Sequence, residues 1–217
     1  MNKAFIFDMD GVLINSERAW GDEEHVLLED MFGKPIAEAV SDTIGVSIQT
    51  TYQKARDLGA TISYQECMDR YFEGALKVLA RAEITLGADV LVERLSALGF
   101  KLALVSSSPQ RWIDQVLPKL SFADKFEYIE SLFEHPELKP KPEPDGYLEA
   151  LRRLSAEPKG SVILEDSNPG ITAGKAAGAY TIGFRENLVH GYQQTGADAY
   201  ADKMDDVIAL VEKFIQQ

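Results

Sequence analysis

An α/β fold is predicted, with a parallel sheet flanked by helices and an all-helical insertion near the start of the chain. Three observations carry it. Downstream of about residue 85, short apolar runs alternate with helical periodicity, the pattern of a mostly parallel sheet covered by helices. A single apolar strand, Phe5-Ile6-Phe7, stands far upstream of the others and ends in Asp8 and Asp10. From Ser16 to about Ala82 there is no strand pattern, only helical periodicity broken at Gly33-Lys34-Pro35, Gly45 and Gly59. The expected division is therefore a discontinuous core of residues 1–14 and 85–217 and a helical domain of residues 15–84.

The elements follow in order. Phe5 to Phe7 reads as a buried strand, and Gly11 just beyond it permits the chain to turn away. In the insertion, Met68, Tyr71, Phe72, Ala75, Leu76 and Leu79 recur at helical spacing, as core-facing residues do. Ala88 to Leu98 is a helix closed by Gly99, and Leu102 to Val105 a strand ending at Ser106-Ser107-Ser108. Pro109 opens a helix running to Leu117. Glu127-Tyr128-Ile129 is a short strand, Asp145 to Leu154 a helix, and Val162-Ile163-Leu164 a strand ending at Glu165-Asp166. Pro169 to Ala177 is a helix closed by Gly178, Ala179 to Phe184 a strand, and Val207 to Phe214 a terminal helix.

Composition narrows the function. A chain of 217 residues with 45% apolar content supports one mid-sized domain carrying an insertion. Its net charge of −13 argues against nucleic acid or an anionic membrane as partner, since phosphates need basic patches. Cys67 is the one cysteine, which excludes an internal disulfide and suits a reducing compartment. The N-terminal apolar run stops at Asp8, too soon for a signal peptide, and no stretch approaches the ~20 apolar residues of a membrane span. A soluble, cytoplasmic monomer acting on a small molecule is expected. His25, His135 and His190 form no ligand pattern and are expected at the surface.

Four strand ends then offer chemistry at one edge of the sheet, where open α/β sheets place their ligands. Asp8 and Asp10 are costly to desolvate without a divalent cation or a lysine, although Asp-x-Asp-Gly also suits a turn. Ser106, Ser107 and Ser108 precede a helix, as anion-binding or capping hydroxyls. Lys139-Pro140-Lys141-Pro142 holds both lysines in extended geometry, as a rigid clamp or a solvated loop. Glu165 and Asp166 suit either a cap on the following helix or hard oxygen ligation of magnesium, the metal being the better reading for Asp166 and the cap for Ser167 or Asn168. Converging acids together with a phosphate monoester require Mg²⁺ and a lysine to be tenable.

These four clusters, in this order, resemble the haloacid dehalogenase superfamily over essentially the whole chain. An insertion just after the first motif is similar to the α-helical cap of the β-phosphoglucomutase-like branch, whose core is Rossmann-like. Lys141-Pro142-Glu143-Pro144-Asp145-Gly146-Tyr147 is similar to that branch's Lys-Pro-x-Pro-Asp-x-aromatic pattern, which points to Lys141, with Lys139, which also begins a Lys-Pro-x-Pro, as the alternative. The resemblance implies that Asp8 attacks phosphorus and that Asp10 serves as acid and then base. It implies Mg²⁺ held by Asp8, the Asp10 carbonyl and Asp166, with Glu165 a further candidate. It places Ser106 and Lys141 on the phosphoryl oxygens, with the backbone N–H groups of Met9 and Ser107 completing the cradle.

Asp10 distinguishes between chemistries, because the dehalogenases of this superfamily lack an aspartate there. The branch's mutases carry a histidine where Trp20 stands and an arginine where Ile48 follows Gly45-Val46-Ser47. Asn15-Ser16-Glu17-Arg18-Ala19-Trp20 is instead similar to the Asp-Ser-Glu-Pro-Leu-Trp of sugar-phosphate phosphatases. The expected activity is a Mg²⁺-dependent phosphatase acting on a small phosphorylated metabolite, with a phosphomutase as the alternative. Glu17, Trp20, Gly45, Val46 and Ser47 are the expected substrate contacts from the cap.

Overall fold

The computed structural model describes residues 2–41 and 46–216, apart from the side chains of 17–19 and 21–22. Among these residues six strands form one sheet: β1 (Lys3–Phe7), β2 (Phe100–Ser106), β3 (Phe126–Ser131), β4 (Val162–Glu165), β5 (Tyr180–Phe184) and β6 (Ala199–Ala201). All pairs are parallel and the order is β3-β2-β1-β4-β5-β6. β1 is thus central, with Phe7 in register with Leu104 on one side and Leu164 on the other. The strand order reverses between β1 and β4, the switch point at which such sheets open a crevice beyond their carboxyl ends.

Alternation along β1 sends its side chains to two separate cores. Phe5 and Phe7 join the cluster that includes Leu91 and Leu95 of α5 (Ala88–Ala97) and Val207 and Val211 of α9 (Met204–Phe214). Ala4 and Ile6 face Tyr147, Ala150 and Leu151 of α7 (Asp145–Arg153) and Ala173 of α8 (Asn168–Ala176). Both faces of the sheet are covered, which is why its strands read as continuous apolar runs.

Among the described residues, four helices lie between β1 and α5: α1 (Ser16–Phe32), α2 (Lys34–Ala39), α3 (Ile48–Asp57) and α4 (Tyr64–Arg81). The chain leaves β1 through a tight turn at Gly11, whose φ of +72° is costly for any other residue type. The outgoing and returning segments run side by side. Asn15 N–H donates to the Glu83 carbonyl at 3.0 Å and Thr85 N–H to the Leu13 carbonyl at 2.9 Å, around an antiparallel bridge of Ile14 with Ile84. Asn187 Nδ2 ties this base to the core, donating to the Gly11 carbonyl at 3.1 Å and to Thr85 Oγ1 at 2.7 Å.

The expected elements are present with shifts at their ends. β6 is the exception that periodicity did not announce, because Ala199-Tyr200-Ala201 is too short and too weakly apolar to signal a strand. α9 also begins earlier than expected, at Met204. Among the described residues, no helix is long and apolar enough to cross a membrane.

Candidate active site

The carboxyl ends of β1, β2 and β4 border one cleft, together with α1, α4 and the segment leading into α3. Asp8, Asp10, Ser107, Ser108, Lys141 and Asp166 line it from the sheet side. Of the candidate substrate contacts, Trp20, Val46 and Ser47 line it from the helical insertion, whereas Gly45 and the Glu17 side chain lie outside the described residues.

Lys141 is at the centre. Its Nζ donates to Asp8 Oδ1 at 2.5 Å and to Glu165 Oε1 at 2.6 Å, and all three residues are buried. Lys139 is exposed, and its backbone N–H donates to Asp145 Oδ2 at 3.1 Å. Burial is the largest influence on Asp8 and pushes its carboxyl up; Lys141 pulls it down, while Glu165 and Asp10 add to the rise. Burial opposes the charge on Lys141, but the two carboxylates outweigh it and keep the amine protonated well above its ordinary range.

Glu165, considered as a further metal ligand, is engaged by protein groups. Its Oε1 also accepts from Tyr147 Oη at 2.8 Å, and its Oε2 accepts from Ser167 N and Oγ at 3.0 and 2.9 Å. It is fully buried and points beneath α8, where a Cβ on Gly170 would come within 1.8 Å of Oε1. Its partners are thus the lysine, the tyrosine and the helix cap, and Asp166 is the acid of the pair that borders the cleft. Gln194 Nε2 steadies that end of β4 by donating to the Asp166 carbonyl at 2.6 Å.

Asp10 has its own environment. Ser16 Oγ donates to its Oδ1 at 2.6 Å and Ser108 Oγ to its Oδ2 at 2.7 Å. Burial raises its carboxyl above the ordinary range, and the two serine hydroxyls moderate the rise. Ser106 is not on the cleft surface; it is buried, and its Oγ accepts the Ser108 N–H at 3.0 Å. Ser131 Oγ secures the same turn by donating to the Ser108 carbonyl at 2.7 Å. The Met9 side chain is sealed in the core, so its backbone alone is available to a ligand.

Ser108, expected as an anion-binding or capping hydroxyl, lines the cleft and donates to Asp10, and Ser16, to which the sequence assigned no role of its own, donates to Asp10 from the start of α1. Several lining residues were not singled out by the sequence. Glu24, Tyr71 and Trp112 line the cleft from α1, α4 and α6 (Gln110–Val116). Tyr71 was expected in the core; it is buried, yet its ring stacks at 5.0 Å on Trp20 and 5.8 Å on Trp112 along the cleft wall. Three helices must dock before these rings meet, and no local pattern encodes that. His25, His135 and His190 are exposed and outside the cleft.

Known proteins resemble the chain in sequence and fold. Residues 5–184 match the family described as haloacid dehalogenase-like hydrolase. The chain is 32% identical over 179 residues to hexitol phosphatase B of Escherichia coli K12, covering 80% of this chain and 79% of that protein. It is 30% identical over 185 residues to the phosphorylated carbohydrates phosphatase of Thermotoga maritima, covering 81% and 82%. In fold it is similar to β-phosphoglucomutase of Clostridium difficile, with a TM-score of 0.75 at 22% identity over 100% of this chain and 98% of that one. A parallel sheet with its acids, serines and lysine at one edge and a family match spanning β1 to β5 lead to one conclusion: the chain belongs to the haloacid dehalogenase-like hydrolases.

Proposed function

We propose that the protein is a Mg²⁺-dependent phosphatase hydrolysing a small phosphomonoester, a sugar phosphate, through a phosphoaspartyl intermediate on Asp8. The carrying observation is Lys141 Nζ at 2.5 Å from Asp8 beside an Asp10 held separately by two serines. That is a carboxylate nucleophile with part of its charge offset, next to a second carboxyl placed for proton transfer. The phosphatase names of the two curated relatives support the substrate class.

The donor set suits a hard divalent cation. Asp8 and Asp166 border the same cleft, and Lys141 is already shared between Asp8 and Glu165. Among the described residues no three acidic, histidine or cysteine side chains form a metal cluster. The Glu165 carboxylate is taken up by Lys141, Tyr147 and Ser167 and that of Asp10 by Ser16 and Ser108, which favours two carboxylates with the Asp10 carbonyl and water over a set that includes the Asp10 and Glu165 side chains; Mg²⁺ commonly binds in that way. When bound, such an ion offsets the repulsion between a carboxylate nucleophile and a phosphoryl group.

In this reading Asp8 attacks phosphorus, the bond to the leaving oxygen breaks, and Asp10 gives that oxygen its proton. Asp10 then takes a proton from the water that attacks the aspartyl phosphate. The bond from phosphorus to Asp8 breaks, releasing phosphate and restoring the carboxylate. Lys141 and the backbone N–H groups of Met9 and Ser107 hold the phosphoryl oxygens, and Ser106 supports the serine turn from beneath. Residues 15–84 act as a cap over a core of residues 1–14 and 85–217. The cap hinges at Ile14-Asn15 and Ile84-Thr85 and excludes water when shut. The setting is a cytoplasmic monomer.

A phosphomonoester panel with Mg²⁺ tests the proposal. Phosphate release is expected from wild type and loss of turnover from Asp8→Asn, with a fall of about 10²–10⁴ in rate for Asp10→Asn. Full activity in Asp8→Asn contradicts it. Recovery of an isomerised sugar phosphate in place of free phosphate from a hexose phosphate would identify a mutase.

A further inference from the structure

One polar group on the cleft wall has no use in the reaction as described. Trp112 lines the cleft from α6 and is buried, and among the described residues nothing accepts a hydrogen bond from its Nε1–H. A buried donor without a partner is costly, and folded proteins keep few of them. An indole nitrogen only donates, so whatever satisfies it has to bring an acceptor. The ring itself is held in place. It stacks on Tyr71 at 5.8 Å, lies 6.1 Å from Trp20 and meets Phe72 edge to face at 5.5 Å. Phe72 is fixed in turn by the Arg111 guanidinium, 3.1 Å from its ring centre, and by Phe133 at 5.8 Å. Trp20, Tyr71 and Phe72 belong to α1 and α4 of the insertion, whereas Trp112 belongs to the core. The indole is therefore covered by the insertion, at the boundary that a ligand of the cleft has to enter.

We infer that Trp112 binds the leaving group of the substrate, its Nε1–H donating to an oxygen of that group other than the one bonded to phosphorus. The inference rests on the phosphatase reading above and adds to it a residue and a contact. In that reading Lys141 and backbone N–H groups serve the phosphoryl oxygens and Asp10 serves the bridging oxygen, so the unspent donor falls to the rest of the ester. With the cap open, water can meet the indole N–H. With the cap shut, an acceptor carried by the substrate takes the place of that water. A leaving group without such an acceptor leaves the donor buried and unpaired, and the penalty falls on the wrong substrate. The packed rings add to this by fixing the donor before the ligand arrives, so that little ordering is left to be done on binding.

Trp20 and Trp112 are the chain's two tryptophans, so proton–nitrogen correlation spectra of the labelled protein contain two indole signals. Whichever of Trp20→Phe and Trp112→Phe folds assigns them. The full-length Asp8→Asn protein, with Mg²⁺, is saturated with a hexitol phosphate or with phenyl phosphate, whose leaving group has no oxygen besides the bridging one. The Trp112 indole proton is expected to move downfield, as on forming a hydrogen bond, with the hexitol phosphate and not with phenyl phosphate. In turnover, Trp112→Phe is expected to lower the ratio of kcat/KM for the hexitol phosphate to that for phenyl phosphate by about threefold to tenfold. A Trp112 signal unmoved at saturation, or moved equally by both esters, overturns the inference, as does an unchanged ratio in a folded Trp112→Phe protein. If that variant does not fold, the spectra decide alone. Absence of hydrolysis of both esters by wild type overturns the phosphatase reading itself, whereas hydrolysis without the indole shift overturns only the role of Trp112.

Discussion

Neighbouring side chains at a strand end point to opposite sides, and at Glu165-Asp166 this gives two adjacent acids different work. Asp166 borders the cleft, while Glu165 turns beneath α8 to receive Lys141, Tyr147 and Ser167. A buried ammonium between two carboxylates is stable only if every partner is held in place, because removing one leaves an uncompensated charge. Space for Glu165 comes from Gly170, where a Cβ would sit 1.8 Å from Oε1. Gly170→Ala therefore has to displace the carboxylate that holds Lys141. Overpacking of this kind costs about 1–3 kcal/mol, and urea unfolding of the variant is expected to show a loss in that range, together with reduced turnover.

At the scale of elements, side-chain hydrogen bonds fix the loops that follow the strands. The turn from β2 to α6 is secured by Ser106 and Ser131, and so presents Ser108 to Asp10. On α7, the helix that carries Tyr147, Glu149 receives hydrogen bonds from Arg152 and Arg153, which hold its carboxyl down to about 2. A carboxyl lowered in the folded state contributes stability above its ordinary pKa and loses it as the pH falls toward the folded value. Glu149→Gln is thus expected to destabilise by about 0.2–1 kcal/mol near neutral pH, the range for pairs at a protein surface. The difference from wild type should shrink as the pH falls from about 4.5 toward about 2. Denaturant titrations at several pH values measure it, and a constant difference across that interval would refute the account.

For the whole molecule, what the sequence reveals depends on whether an interaction is local. The apolar runs of β1, β2, β4 and β5 are legible because both faces of the sheet are buried. The acids, serines and lysine are legible because each follows its strand directly or a proline-stiffened segment. β6 is not, since Ala199-Tyr200-Ala201 becomes a strand only by pairing with β5. Nor does the sequence say which serine reaches Asp10, because three consecutive serines differ only in the direction the turn gives each. The separate places of Glu165 and Asp166 were accessible from strand alternation alone. Glu24, Tyr71 and Trp112 meet only through the docking of α1, α4 and α6, which composition and periodicity do not describe.

The central claim is that Asp8 becomes covalently phosphorylated, and acid-quenched single turnover followed by peptide mass analysis tests it most directly. With Mg²⁺ and a reactive phosphomonoester, the account predicts one phosphoryl group on the peptide carrying Asp8, transient in wild type, longer-lived in Asp10→Asn and absent in Asp8→Asn. Rapid hydrolysis by wild type with no phosphoryl group on Asp8 at any quench time, or hydrolysis surviving in Asp8→Asn, would contradict it.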